Sequence, residues 1–297
     1  MDELGSDGSK ARSTSRLTVK KTYKLYINGA FPRSESARSY PVSDASGSFL
    51  ANAARASRKD ARDAVVAACA RGASWSAASA YNRGQVLYRV AEVLEARAAQ
   101  FAAEVAAAEG LRPAPAGRVV AGAVDRWVWY AGWADKFAQV VGGSNPVAGP
   151  YFNFSVPEPT GVVAMIAPQH SSLLGLTSVL APALVTGNTT VVVASETQPL
   201  PAIALAEVLA TADVPPGAVN ILTGRSAELA PVLASHMDVN AIDLSGADPG
   251  EREKLELLAA ENLKRVLVLE EDWAARPGLA RMKAFVEIKT VWHPVGT

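Results

Sequence analysis

Between residues 162 and 269, five short runs rich in β-branched residues are separated by segments of helix length: Val162–Ala167, Thr189–Val193, Val219–Leu222, Ala241–Leu244 and Val266–Leu269. No other feature constrains the fold as strongly. Parallel strands cannot be joined by a tight turn and need a long crossover, usually a helix. Runs that are apolar at nearly every position need cover on both faces. The alternation therefore predicts an α/β fold, a doubly wound parallel sheet with helices on both sides. In such sheets ligands gather outside the carboxyl ends of the strands. The stretch GVVAMIAPQHSS, residues 161–172, places a strand, a proline and a run of polar residues where that site belongs.

The rest of the chain divides around this array. Residues 1–21 are polar, charged and Ser-rich, and are expected to form a disordered tail. LYINGAF sets an Asn-Gly pair between apolar residues, the signal of a tight hairpin. Residues 57–139 are Ala-rich with helical spacing; Ser57 and Asp60 sit near a helix start, and three helices are predicted, broken near Ala80 and at 110–117. Trp127, Trp129, Tyr130 and Trp133 recur at helical spacing and read as core. A second hairpin is expected over 140–157, where Tyr151, Asn153 and Ser155 alternate with Phe152, Phe154 and Val156. FVEIKTVWHPV closes the chain as an added antiparallel strand.

Lys plus Arg number 29, as do Asp plus Glu, so no net field recruits nucleic acid or an anionic membrane. No apolar run approaches the roughly 20 residues that span a bilayer. The single cysteine, Cys69, excludes an internal disulfide and suits a reducing cytoplasm, the expected location. The three histidines have no metal-ligand spacing with each other or with Cys69, so no metal site is expected.

The segments LYINGAF, ASWSAASAYNRGQVLYRVAEVLEAR, EPTGVVAMIAP, LAPALVTGNTTVVVASETQPL, VPPGAVNILTG, NLKRVLVLE and VEIKTVW together resemble, in that order, the aldehyde dehydrogenase superfamily. The resemblance implies a Rossmann-like NAD-domain scaffold over residues 22–270, including the 140–157 hairpin of a β-rich oligomerisation flap, and the last oligomerisation strand over 284–297. It also implies that residues 271–283 form a short link where the family has a catalytic domain. The whole is similar to the degenerate second half of the tandem, two-unit members called family 16.

Aldehyde oxidation needs a thiolate nucleophile, an oxyanion hole and a carboxylate base. Cys69, within AVVAACARGASW, reads as a small hydrophobe on the apolar side of a helix far from the sheet. In place of the family's Pro-Trp-Asn turn stands Pro168-Gln169-His170, which leaves His170 as the one candidate catalytic group. The position of the family's basic glutamate holds Leu269. For the cofactor, the family's Lys-Pro-Ser-Glu becomes Val193-Ala194-Ser195-Glu196, its Thr-Gly-x-Gly becomes Thr223-Gly224-Arg225-Ser226, and its Phe-Thr-Gly-Ser becomes Leu244-Ser245-Gly246-Ala247 followed by Asp248-Pro249. The remaining cofactor-site candidates are Ser195, Glu196, Gly224, Arg225 and Gly246. Asp248 and Pro249 oppose a phosphate at a helix start, one by charge and one by lacking an N–H.

The expectation is a pseudoenzyme with no resident cofactor that associates with a full-length aldehyde dehydrogenase subunit, self-association being the fallback. One alternative is a reduced oxidoreductase that still binds NAD and takes its nucleophile from another chain. Another is a small-molecule binding module that uses the vestigial cleft.

Overall fold

The structure, a computed structural model, describes residues 19–296. The expected tail falls, up to residue 18, outside the described residues. Strands β1 (Thr22–Tyr23), β2 (Ser39–Ser43) and β3 (Phe49–Ala54) make a small sheet in the order β1-β3-β2. The Asn-Gly pair forms its tight turn, with φ of 52° at Asn28 and 76° at Gly29. Ile27 and Ala30 exchange backbone hydrogen bonds of 3.0 Å across it.

Helices α1 (Arg58–Ala77), α2 (Ala80–Ala96), α3 (Ala98–Glu109), α4 (Pro113–Trp133) and the short α5 (Phe137–Val141) follow. Ser57 and Asp60 form a capping box at the start of α1, and Ser79 caps α2. α3 ends on Gly110 at φ 68°, and Pro113 opens α4. The three helices expected are thus four long ones. The extra break falls at Arg97, whose φ of −107° and ψ of 13° leave the helical region without any Gly or Pro to mark it. Gly117, read as part of a break, lies within α4. Trp127 and Tyr130 are buried in the core, as their spacing suggested.

Strands β4 (Gly143–Asn145) and β5 (Tyr151–Pro159) form the second hairpin, which begins later than expected because α5 takes residues 140 and 141. Then come β6 (Val162–Ile166), α6 (Leu174–Val185), β7 (Thr189–Val193), α7 (Leu200–Thr211), β8 (Val219–Leu222), α8 (Ser226–Ser235), β9 (Ala241–Asp243), α9 (Pro249–Ala260) and β10 (Arg265–Leu267). All four pairings of this sheet are parallel, in the order β10-β9-β6-β7-β8. β6 is buried on both faces: Val163 and Met165 join one core with α2, α3, α4, α6 and α7, whereas Val162, Ala164 and Ile166 join another with α1, α8 and α9. The fold is α/β and doubly wound, as the alternation predicted. Strand order reverses between β6 and β9, which opens a crevice at their carboxyl ends.

Finally α10 (Ala280–Ala284) leads into β11 (Val286–Pro294), which pairs antiparallel with β5 from Val286 opposite Pro159 to Pro294 opposite Tyr151. The stretch 271–283, read as a plain link, contains most of α10 and is anchored by buried arginines described below. Among the described residues no helix is long and apolar enough to cross a membrane.

At the amino end, Lys21 and Arg97 both pair with Glu207 beside Glu104. Gln100 donates to Glu104 Oε1 at 2.9 Å, while the buried Oε2 has no partner. Burial pushes the Glu104 carboxyl above its ordinary range, and the charge of Glu207 adds to this. The folded chain therefore binds this proton more readily than the unfolded one. Its contribution is fully present below the ordinary glutamate value, about 4.3, and is lost as pH rises through the folded value. Glu104→Gln is expected to raise stability at pH 7 by on the order of 1 kcal/mol and to give no gain below about pH 4. Urea unfolding at the two pH values checks both halves; equal gains at both would be inconsistent with this account.

Candidate functional site

The crevice between β6 and β9 opens into a cleft of about 730 Å³. Its walls come from the loop after β6 (Pro168–Ser171), Glu196 after β7, the start of α8, the loop after β9 (Ser245–Asp248), Glu251 of α9 and Trp273. The two central loops meet because Gly246 lies flat on the end of β6, its N–H donating to the Ile166 carbonyl at 3.1 Å. A side chain there would have no room, since an added Cβ would stand 2.1 Å from the Ala167 carbonyl oxygen.

Of the residues singled out from sequence, His170, Glu196 and Gly246 share this cleft. His170 is exposed on its rim. Ser195 is buried beneath it: its hydroxyl donates to the Gln169 carbonyl at 2.8 Å and accepts the Gln198 N–H at 3.2 Å. Gly224, at φ 143°, and the exposed Arg225 line a separate groove of about 410 Å³ with Tyr40 and Arg55. Glu196 borders both spaces. Gln169, given no role from sequence, ties the loop after β6 to the loop after β7 by donating to the Ala167 carbonyl at 2.7 Å and accepting the Glu196 N–H at 2.9 Å.

Both helix starts at the cleft are met by the chain's own carboxylates. Glu196 accepts the Ser226 N–H at the start of α8 at 3.2 Å. Asp248 caps α9 through the Gly250 N–H at 2.8 Å, with Pro249 opening the helix. With Glu251, three carboxylates line the cleft, and no Lys or Arg is among its lining residues.

Cys69 is not on the apolar side of its helix. Ala68 and Val65 point inward, and one further residue, about 100° around the helix, turns Cys69 to the surface. It borders a hollow with Gly161, Gly187 and Asn240, at the amino ends of the strands and opposite the cleft. Partial burial raises its thiol pKa and Asp238 adds to the shift, the wrong direction for a nucleophile. Among the described residues no cluster of His, Cys, Asp and Glu is arranged to hold a metal.

A buried ion pair that sequence reading missed lies beside the cleft: Arg281 binds Asp243 at the carboxyl end of β9. The only signal was a lone acid in the apolar run Ala241–Leu244. Burial pushes the Asp243 carboxyl above its ordinary range, while Arg281 and the Ser245 N–H pull against that.

A five-stranded doubly wound sheet with a cleft at its switch point and a three-stranded antiparallel flap beside it defines a protein built on a dinucleotide-domain scaffold. The profile of the aldehyde dehydrogenase family matches residues 31–270. The chain belongs to the aldehyde dehydrogenase family. It is 35% identical over 258 residues to retinal dehydrogenase 2 of Gallus gallus, covering 85% of this chain and 49% of that one. It is 31% identical over 246 residues to omega-crystallin of Enteroctopus dofleini, covering 82% and 49%. An NAD+ complex of an aldehyde dehydrogenase from Bacillus cereus superposes with a TM-score of 0.80 at 26% identity, over 84% of this chain and 50% of that one. The chain thus spans about half the length of the curated relatives it matches.

Proposed function

We propose that the chain is a non-catalytic aldehyde dehydrogenase-like subunit that associates with, and supports, a full-length aldehyde dehydrogenase in the cytoplasm. The observation that carries this reading is the route from β10 to β11: residues 268–285 alone connect them, yet β11 completes its pairing with β5 along nine positions. The three-stranded flap is formed, while among the described residues the cleft lining offers no thiol. His170 is exposed on its rim. The lining also fits a pyrophosphate poorly, because Glu196 and Asp248 already take helix-start N–H groups and Glu251 adds further negative charge.

A second reading is favoured by one observation, the NAD+ bound in the Bacillus cereus relative. In it the chain still holds the dinucleotide, with Ser195, Glu196, Gly224, Arg225 and Gly246 around it, and relies on a nucleophile from another chain.

The purified chain is expected to oxidise no aldehyde, and Cys69→Ser is expected to change nothing. Turnover that disappears in Cys69→Ser would sink the first reading. Calorimetry with NAD is expected to give a dissociation constant weaker than about 100 μM; a low-micromolar value, about 8 kcal/mol of binding, supports the second reading instead. Copurification from the native source with mass spectrometry identifies the partner.

A further inference from the structure

Beyond β10 the chain crosses the carboxyl end of the sheet before α10 returns it to β11. Most side chains from Glu270 to Ala280 are exposed, and only Trp273, Pro277 and Leu279 are half-buried. Polar groups hold this stretch. Arg126 of α4, 8% exposed, donates through Nη2 to the carbonyls of Trp273 at 2.7 Å and Ala275 at 3.0 Å. At the far end Arg281, 2% exposed, enters a pocket of four groups. It pairs with the fully buried Asp243, donates from Nε to Glu271 at 3.0 Å and from Nη2 to the Ser245 hydroxyl at 3.1 Å, and lies 5.4 Å from the centre of the Trp273 ring. Ser245 also accepts the Leu269 N–H at 3.1 Å, so one hydroxyl ties together both ends of the crossing.

We propose that residues 270–281 form a strap over the cleft and that Arg281 is its latch, a guanidinium held in cis in a socket made by Asp243, Glu271, Ser245 and the face of Trp273. Two carboxylates at different angles, a hydroxyl and an aromatic face match a planar fork of donors, and do not match a compact ammonium. At this depth Asp243 stays ionised only with a cation beside it, because an unpaired buried charge is strongly unfavourable. Apart from Trp273 and Leu279, which pack against the core, the strap is mostly exposed, the mark of a segment that opens locally at less than the global cost. Its ends are fixed: β10 pairs with β9, and Met282, Phe285 and Val286 are buried in the core. Opening therefore swings Trp273 off the cleft wall and bares Asp243, while β11 stays in place. The inference holds whichever reading of the cleft is correct.

Hydrogen exchange read by mass spectrometry tests it, on the wild type, on Arg281→Ala, and on Arg281→Ala with about 50 mM guanidinium chloride or the same concentration of sodium chloride. The hydrogen-bonded amides of Leu269, Ala274 and Ala275 are expected to exchange about tenfold faster or more in Arg281→Ala, with β6, β7 and β11 unchanged. Guanidinium, and not sodium, should restore the protection. An unchanged strap, acceleration spread through the whole sheet, or rescue by both salts or by neither overturns the proposal. Should Arg281→Ala fail to fold, the wild type alone decides. A Leu269 amide, held by the Ser245 hydroxyl, that exchanges independently of sub-denaturing urea and ahead of β6 supports local opening; exchange of that amide only with the global transition overturns it.

Discussion

Gly246→Ala is expected to destabilise the chain by about 3 kcal/mol or more, among the largest effects a single methyl can have. The added Cβ would stand 2.1 Å from the Ala167 carbonyl oxygen, 2.3 Å from its carbon and 2.5 Å from the Ile166 oxygen. All three are backbone atoms at the end of β6, the central strand, so no side chain can rotate away to make room. The β9 loop must lift, which breaks the Gly246 N–H bond to the Ile166 carbonyl and pulls Ser245 away from both Leu269 and Arg281. Gly132→Ala is the matched control: it is exposed within α4 and an added Cβ meets nothing within 4 Å. It is expected to stabilise by about 0.5–1 kcal/mol, because Ala loses less backbone freedom than Gly in a helix. Urea unfolding of both variants decides. A Gly246→Ala chain within about 0.5 kcal/mol of wild type would show that the two loops are not in enforced contact.

This glycine marks where sequence reading reached and where it stopped. The loop could be placed from its pattern, because a short, mostly apolar run followed by Ser-Gly is a local signal. That the glycine is pressed against another strand is a tertiary fact. The same division recurs elsewhere. The β6–β9 runs were legible because strands buried on both faces are mostly apolar, and the helix start at Ser57 and Asp60 because the two partners lie three residues apart. The break at Arg97 was not legible, since no residue there forbids a helix. Cys69 was misplaced because its helix carries alanine almost all round, so apolar spacing fixes its inward face only to within a residue. The Arg281 socket was invisible because its members, Asp243, Ser245, Glu271 and Trp273, come together only after the chain has crossed the sheet end. Glu196 and Asp248 could be named from sequence. Their use of helix-start N–H groups, which sets the electrostatics of the cleft, required the fold.

Ile288→Asp is expected to weaken binding of a full-length aldehyde dehydrogenase partner by about 100-fold while leaving the melting temperature unchanged. The pairing register fixes the faces of the flap. Ile288 stands opposite Pro157, Trp292 opposite Asn153 and Pro294 opposite Tyr151, so Ile288, Trp292 and Tyr151 share one face; Phe154 stands opposite Val291 on the other. Ile288 is 49% and Trp292 58% exposed, and the Trp292 ring meets Tyr151 edge-on at 5.8 Å. A half-exposed isoleucine contributes little to the fold that a charge could remove, yet a carboxylate at the centre of an apolar contact is expensive to desolvate. Phe154 is half-buried and stacks with Phe152 at 5.4 Å. Phe154→Asp is therefore expected to lower stability as well as binding, and comparison of the two variants separates docking from folding. β11 is also the outer strand of its sheet, with one edge unpaired in the described chain. An edge of nine residues carrying apolar side chains is an association hazard unless another chain covers it. A second copy would bring the same flap and the same cleft; a full-length relative has about twice the chain length to offer as cover. Size-exclusion chromatography with light scattering, on the wild type alone and mixed with aldehyde dehydrogenases from its own source, is the measurement. A wild-type chain that runs as a stable monomer and does not shift on mixing, or an Ile288→Asp chain that binds at full strength, would remove the flap from any role in assembly.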